Sequence, residues 1–284
     1  MSKGILLINK PAEMTSFEVI KVIKKKLSNK KVGHCGTLDS FATGLLIVAL
    51  GKATKALTYL QKQPKEYLTT FQLGKVSTTH EINGHIQTIS SAKVDLKTIK
   101  KILPKFIGPI KQRPPGYSAI KIKGQRASDR LRKGEKIEIA PRDTMVFNLE
   151  IIDFYFPFLT LKINCSSGFY VRSLCRDLGK QLKIGAMCTA LQRNKIGSFS
   201  LQNSYSLQEL TEDKILKLSA DFFDFKNKEI DLKDLEKIKM GQKIYWPLKQ
   251  DKNKTVSLSY QNEIIAFGNI KESFFYPHRV LLDF

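Results

Sequence analysis

Residues 33 to 46, GHCGTLDSFATGLL, hold a concentration of side chains able to do chemistry: Gly33, Gly36 and Gly44 bracket His34, Thr37 and Asp39. Glycines permit tight turns and let backbone come close to a ligand. A carboxylate in such a loop, held by rigid elements, is placed as catalytic acids and bases commonly are. Residue type alone suits Asp39 equally to capping a turn. A second cluster, CSSGFYVRSLCRDLG (165–179), sets Gly168 ahead of a helical run with Tyr170, Arg172, Arg176 and Asp177. Arg172 stands among Tyr170, Val171 and Leu174, and a guanidinium is rarely buried in such company without an anionic partner. Asp39 is one candidate partner, Asp177 a local one, and exposure to solvent removes the need for either.

Signatures of other chemistries are missing. The sequence has no Walker A loop, no G-x-S-x-G, no H-E-x-x-H and no dinucleotide fingerprint, so no cofactor is expected. His80 and His85 are five apart, and His34 and His278 are remote, which leaves no ligand spacing for a metal.

The elements that would position these loops follow from the apolar period. GILLIN (4–9) and LLIVAL (45–50) read as buried strands, and KEYLTTFQLG (65–74) as an alternating one. SFEVIKVIKKKL (16–27) reads as a helix with Ser16 as its N-cap, and KATKALTYLQK (52–62) as another. A helical pattern from 95 to 107 ends near Pro104 and Gly108. KIEI (136–139), VFNLEIIDFYF (146–156) and LTLKIN (159–164) read as strands. Strands and helices without strict alternation imply an α+β fold rather than a doubly wound sheet. Composition shifts after residue 225, and 231–284 reads as a short helix followed by strands, a small β-rich domain.

The formal net charge of +22 predicts a polyanionic partner, nucleic acid before all others. The charge is not evenly spread. Residues 111–142 carry Lys111, Arg113, Lys121, Lys123, Arg126, Arg130, Arg132, Lys133, Lys136 and Arg142 against Asp129, Glu135 and Glu138. Cys35, Cys165, Cys175 and Cys188 have neither zinc-site pairing nor the density of a secreted scaffold, which points to a reduced, cytoplasmic compartment. No secretory h-region opens the chain, and no stretch reaches the roughly 18 apolar residues of a membrane span.

Together these segments resemble the TruB family of bacterial tRNA pseudouridine synthases. The likeness runs through INKPAEMTS (8–16), GHCGTLDSFATGLLIVALGKATK (33–55), KEYLTTFQLG (65–74), QRPPGYSAIKIKGQRA (112–127), CSSGFYVRSLCRDLG (165–179) and ALQRNKIG (190–197). It implies a catalytic domain over 1–225 with a central mixed, mainly antiparallel sheet, and a PUA-like RNA-binding domain over 231–284. It implies that Asp39 is the catalytic aspartate, that Tyr67 stacks on the target base and accepts a proton, and that Arg172 pairs with Asp39. His34, Tyr170 and Leu191 match positions lining the flipped-base pocket. The basic segment matches an insertion that closes over the tRNA T arm. The reaction so implied, isomerisation of uridine 55 in the T loop, needs neither metal nor cofactor, and a monomer suffices for it. The charge by itself equally fits a non-catalytic RNA chaperone, and relatives of the family act on other RNAs in guide-directed particles.

Three departures stand out. Ser40 occupies a position where the family has proline, and Glu13 one where it has glycine. STTHEING (77–84) replaces a TDTxDxxG pattern, with Thr78 for one aspartate and Glu81 for the other.

Overall fold

The structure, a computed structural model, describes residues 3–122, 124–247 and 254–282. Its strands are β1 (Gly4–Lys10), β2 (Val32–Cys35), β3 (Thr43–Leu50), β4 (Lys65–Leu73), β5 (Lys75–Ser77), β6 (Ile86–Thr88), β7 (Gly108–Gln112), β8 (Lys121–Ile122) and β9 (Gln125–Arg126). They continue with β10 (Arg142–Tyr155), β11 (Phe158–Cys165), β12 (Ala186–Ile196), β13 (Phe199–Ser200), β14 (Asn227–Glu229), β15 (Ile244–Tyr245), β16 (Thr255–Tyr260), β17 (Glu263–Lys271) and β18 (Phe274–Val280). The α-helices are α1 (Ser16–Lys26), α2 (Leu57–Leu60), α3 (Leu96–Ile102), α4 (Ala127–Arg132), α5 (Val171–Gln181) and α6 (Leu232–Lys239).

A nine-stranded sheet in the order β1-β3-β12-β4-β11-β10-β7, with β2 on β3 and β13 on β12, forms the body. Only its β12–β3 pairing is parallel, so the sheet is mixed and mainly antiparallel, and the fold is α+β. β1 and β3 are continuously apolar because both of their faces are covered. Ile5, Leu7, Leu45 and Ile47 pack into one core, while Leu6, Ile8, Leu46 and Val48 face another closed by Val19, Ile20 and Ile23 of α1. α5 lays Val171, Leu174 and Leu178 against Phe71 of β4 and Leu161 of β11 in a third core.

Local chemistry differs from the sequence reading at three places. The cap of α1 is Thr15, not Ser16: its hydroxyl accepts from the Glu18 N–H while the Glu18 carboxylate accepts from the Thr15 N–H, a capping box. Ser16 is drawn inward instead, to Leu38. Residues 52–62 form a 3-10 turn over Gly51–Ala56 and only one short α-helical turn, α2. KIEI (136–139) forms no strand; Ile139 leaves the main sheet to pack with Ile120 and Ala127 in a small core belonging to the insertion.

The small C-terminal sheet is five-stranded, in the order β14-β16-β17-β18-β15, and begins with Asn227–Glu229. It rests on the body through Phe267, whose ring centroid lies 4.4 Å from that of Tyr59, and through the Tyr59 hydroxyl, 2.9 Å from His278 Nε2. Lys55 Nζ adds a hydrogen bond to the Val280 carbonyl at 2.7 Å.

Candidate active site

Asp39 lies in the turn between β2 and β3, and several elements hold that turn. Buried Ser16 accepts from the Leu38 N–H at 2.9 Å and donates to the Leu38 carbonyl at 3.3 Å. Lys10, at the end of β1, donates to the carbonyls of Pro11 at 2.7 Å, Met14 at 2.5 Å and Ser40 at 3.1 Å, so both neighbours of Asp39 are tied down. Burial pushes the Lys10 ammonium down to about 8, against the opposing pull of the Asp39 charge. Gly44, at φ +103°, brings β3 so close to β12 that a Cβ there would sit 2.5 Å from the Arg193 carbonyl oxygen.

The long-range partner of Asp39 is Arg172. Its Nη2 donates to Asp39 Oδ1 at 2.8 Å and to the Tyr117 carbonyl at 2.8 Å, and Nη1 donates to the Thr79 carbonyl at 3.0 Å. The local alternative, Asp177, is engaged by Arg176 at 2.8 Å. The Arg172 side chain is 5% exposed and that of Asp39 36% exposed, which leaves the carboxylate reachable from the cavity while the guanidinium is enclosed.

The cavity, of about 340 Å³, is walled by Asp39, Tyr67, Tyr170, Arg172 and Leu191 among others. Five of the six site residues expected from sequence thus converge. Tyr67 on β4 is buried, burial pushes its hydroxyl above the ordinary range, and the Arg193 guanidinium faces it. Tyr170 opens α5, and its hydroxyl is likewise pushed up by burial. Leu191 on β12 lies next to Tyr67 in the sheet, since Arg193 pairs with Tyr67 and Leu191 with Thr69. His34 stands apart on β2, outside the cavity wall; its Nδ1 is buried with no hydrogen-bond partner among the described residues, and burial lowers its proton affinity.

Sequence reading did not single out Lys65 or Arg193, both of which line the same cavity. Arg193 is 1% exposed and is satisfied by carbonyls, Leu45 at 2.8 Å from Nε and Gly36 at 3.0 Å from Nη2. Burial pushes Lys65 down to about 8. With Arg142 and Arg172 these make a cationic wall in which Asp39 is the only carboxylate among the described lining residues. A pocket so charged suits an anionic substrate whose reacting part meets one acid. Glu81, the departure from the family pattern, uses its carboxylate locally, accepting from the Asn83 N–H at 2.7 Å. What that segment supplies to the site is the Thr79 carbonyl. Among the described residues no three His, Cys, Asp or Glu side chains gather as a metal-ligand set.

The fold and the comparisons define the class. The chain superposes on a chain of a Cbf5-Nop10-Gar1 complex with a TM-score of 0.75 at 23% identity, covering 98% of this chain and 85% of that one. An H/ACA RNP bound to a substrate RNA containing 2'-deoxyuridine gives a TM-score of 0.73 at 22% identity, over 99% and 85%. Residues 24–171 match the N-terminal domain of the TruB family pseudouridylate synthases, and 172–221 the C-terminal domain of tRNA pseudouridylate synthase B. This is an RNA-modifying isomerase, a pseudouridine synthase. Among curated relatives, tRNA pseudouridine synthase B of Clostridium tetani is 39% identical over 213 residues, 75% of this chain and 74% of the relative. That of Corynebacterium diphtheriae is 40% identical over 228 residues, 77% and 75%. The chain belongs to the TruB family.

Proposed function

We propose that this enzyme converts the uridine at position 55 in the T loop of tRNA to pseudouridine, with Asp39 as its catalytic carboxylate. The observation that carries the reading is Asp39 itself, the one carboxylate among the described residues lining a cationic cavity, bonded to Arg172 at 2.8 Å and open to the cavity. The relatives named tRNA pseudouridine synthase B support tRNA as the substrate.

A uridine in a folded loop must leave its stack before the glycosidic bond is accessible, at a cost of a few kcal/mol that pocket contacts offset. Tyr67 supplies a π face for the flipped base, Tyr170 and Leu191 supply walls, and His34 fills the vacated stack. The N1–C1′ bond then breaks, uracil turns and a C5–C1′ bond forms; the C5 hydrogen leaves as a proton to solvent and N1 takes one up, so the change is an isomerisation. Attack on C1′, addition to the base and removal of the 2′ proton all require one carboxylate beside the sugar, and Asp39 serves each of these routes. The walls must also keep the detached uracil in place and water out. Residues 1–225 act as the catalytic domain, with the basic insertion 111–142 as a clamp on the T arm. Residues 231–284 act as a PUA-like RNA-binding domain on a monomer. Buried, free cysteines at 35, 165, 175 and 188 support action in the cytoplasm.

Tritium release from tRNA transcripts labelled at C5 of uridine tests the reading. Wild-type protein should release tritium, and Asp39→Asn should release none while still binding the transcript; a transcript with cytidine at position 55 should release none with either protein. Full activity in Asp39→Asn would remove Asp39 from the chemistry. Binding without release in the wild type would favour an RNA chaperone.

A further inference from the structure

Gln112, the last residue of β7, is 2% exposed and makes paired hydrogen bonds to the backbone of one residue. Its Oε1 accepts from the Tyr170 N–H at 2.8 Å and its Nε2 donates to the Tyr170 carbonyl at 3.0 Å. A backbone N–H only donates and a carbonyl only accepts, so a primary amide of this length satisfies both where a carboxylate or an amine satisfies one. Tyr170 has reason to need such a clamp. It is the N-cap of α5, in extended conformation at φ −116°, and no side chain of its own caps the helix.

The residues that follow Gln112 continue along the same helix. The Arg113 carbonyl accepts from Ser173 Oγ at 2.8 Å and from Arg176 Nη2 at 3.1 Å. The Tyr117 carbonyl accepts from Arg172 Nη2 at 2.8 Å, the same nitrogen that bonds Asp39. Segment 112–117 is therefore a splint along the first turns of α5, and it is also the root from which the basic insertion leaves the sheet. Gln112 is its buried end and the member that acts by side chain.

We propose that Gln112 is a positioning residue for the isomerisation: its carboxamide fixes the backbone of Tyr170 and with it the start of α5, so that the Tyr170 ring walls the cavity and Arg172 faces Asp39. It touches neither base nor sugar and acts only through these two residues. The proposal rests on the Asp39-centred reading above. Displacing reacting groups by about 1 Å can cost on the order of a hundredfold in rate, so loss of the clamp should appear in the chemical step.

The test is single-turnover tritium release from the C5-labelled tRNA transcript at saturating full-length enzyme, for wild type, Gln112→Met and Gln112→Glu. Methionine keeps the length without either bond; glutamate keeps an acceptor for the Tyr170 N–H and loses the donor. The rate constant should fall by about tenfold or more in both variants, with filter-binding affinity for the transcript within about twofold of wild type. In a Tyr170→Ala background the Gln112→Met step should cost less than about a third of its fold-effect in wild type, since a group acting through Tyr170 has less left to position. A rate unchanged in both variants, a loss confined to affinity, or an undiminished loss in the Tyr170→Ala background would each overturn the proposal. So would failure of both variants to fold at the assay temperature, which would make Gln112 a purely structural residue. A silent wild type would instead sink the functional reading, and this proposal with it.

Discussion

Arg172 divides its donors between one carboxylate and two main-chain carbonyls, Tyr117 and Thr79, from two segments distant in sequence. Such an arrangement suits arginine, whose planar fork presents several donors at fixed angles, and would not be reproduced by lysine. Lys10 is the complementary case, a compact ammonium enclosed by carbonyls on the other side of the Asp39 turn. Its pKa is pushed down to about 8 because burial disfavours the charge. The unfolded chain keeps that proton up to the ordinary value near 10.5, so between about 8 and 10.5 the unfolded state binds more protons and stability rises with pH. Denaturant unfolding at pH 7.5 and pH 10 should therefore show wild type gaining stability relative to Lys10→Met at the higher pH. An equal difference at both pH values would show that Lys10 titrates normally in the folded protein.

At the scale of elements, the close approach of β3 and β12 decides where the Asp39 turn and the Arg193 guanidinium meet. Gly44 pairs with Arg193 in the sheet's parallel contact, and both its φ of +103° and the 2.5 Å separation exclude a side chain. Gly44→Ala should cost at least about 2 kcal/mol in denaturant unfolding, with strain and overlap adding. Gly108→Ala, at φ +94° with open space around it, isolates the conformational part and should cost about 1 to 2 kcal/mol. Equal losses at the two positions would mean that β3 and β12 separate without penalty. β12, an interior strand between β3 and β4, has no counterpart among the strands expected from sequence. Its run AMCTALQRNKI mixes Gln192, Arg193, Asn194 and Lys195 with apolar residues, and the buried arginine breaks the alternation by which strands are recognised. β1 and β3 were legible because each is apolar on both faces.

Across the whole molecule, the cations of residues 111–142 are not equally available to a polyanion, because three of them have carboxylate partners within the segment. Arg130 is paired with Glu135 at 2.6 Å, Arg132 with Asp129 at 3.2 Å and Arg113 with Glu138 at 3.5 Å. Lys121 and Arg126, on the β8–β9 hairpin, carry no ion pair among the described residues and are open to phosphates. Affinity for tRNA should fall steeply with salt, with a log–log slope of roughly −0.7 for each phosphate neutralised by single-strand-like contact. Lys121→Ala and Arg126→Ala should each reduce the slope by roughly that amount, whereas Arg132→Ala should change it little. A flat salt response in the wild type would remove the clamp role from this segment.

Legible from the amino-acid order alone were the strands whose two faces are both buried, the helix expected over 16–27, the glycine-bracketed loop of Asp39 and the family. That order left the partner of Arg172 open between Asp39, Asp177 and solvent, and on residue types alone it could not assign Arg193, Lys10 or Gln112 a place. Folding settles each of them through contacts between distant segments. Arg193 and Lys10 are satisfied by the carbonyls of Gly36, Leu45, Pro11, Met14 and Ser40, and Gln112 by both backbone groups of Tyr170. A main-chain carbonyl is the same at every residue and leaves no mark in the sequence. The long-range contacts that assemble this site therefore appear only when the chain is folded.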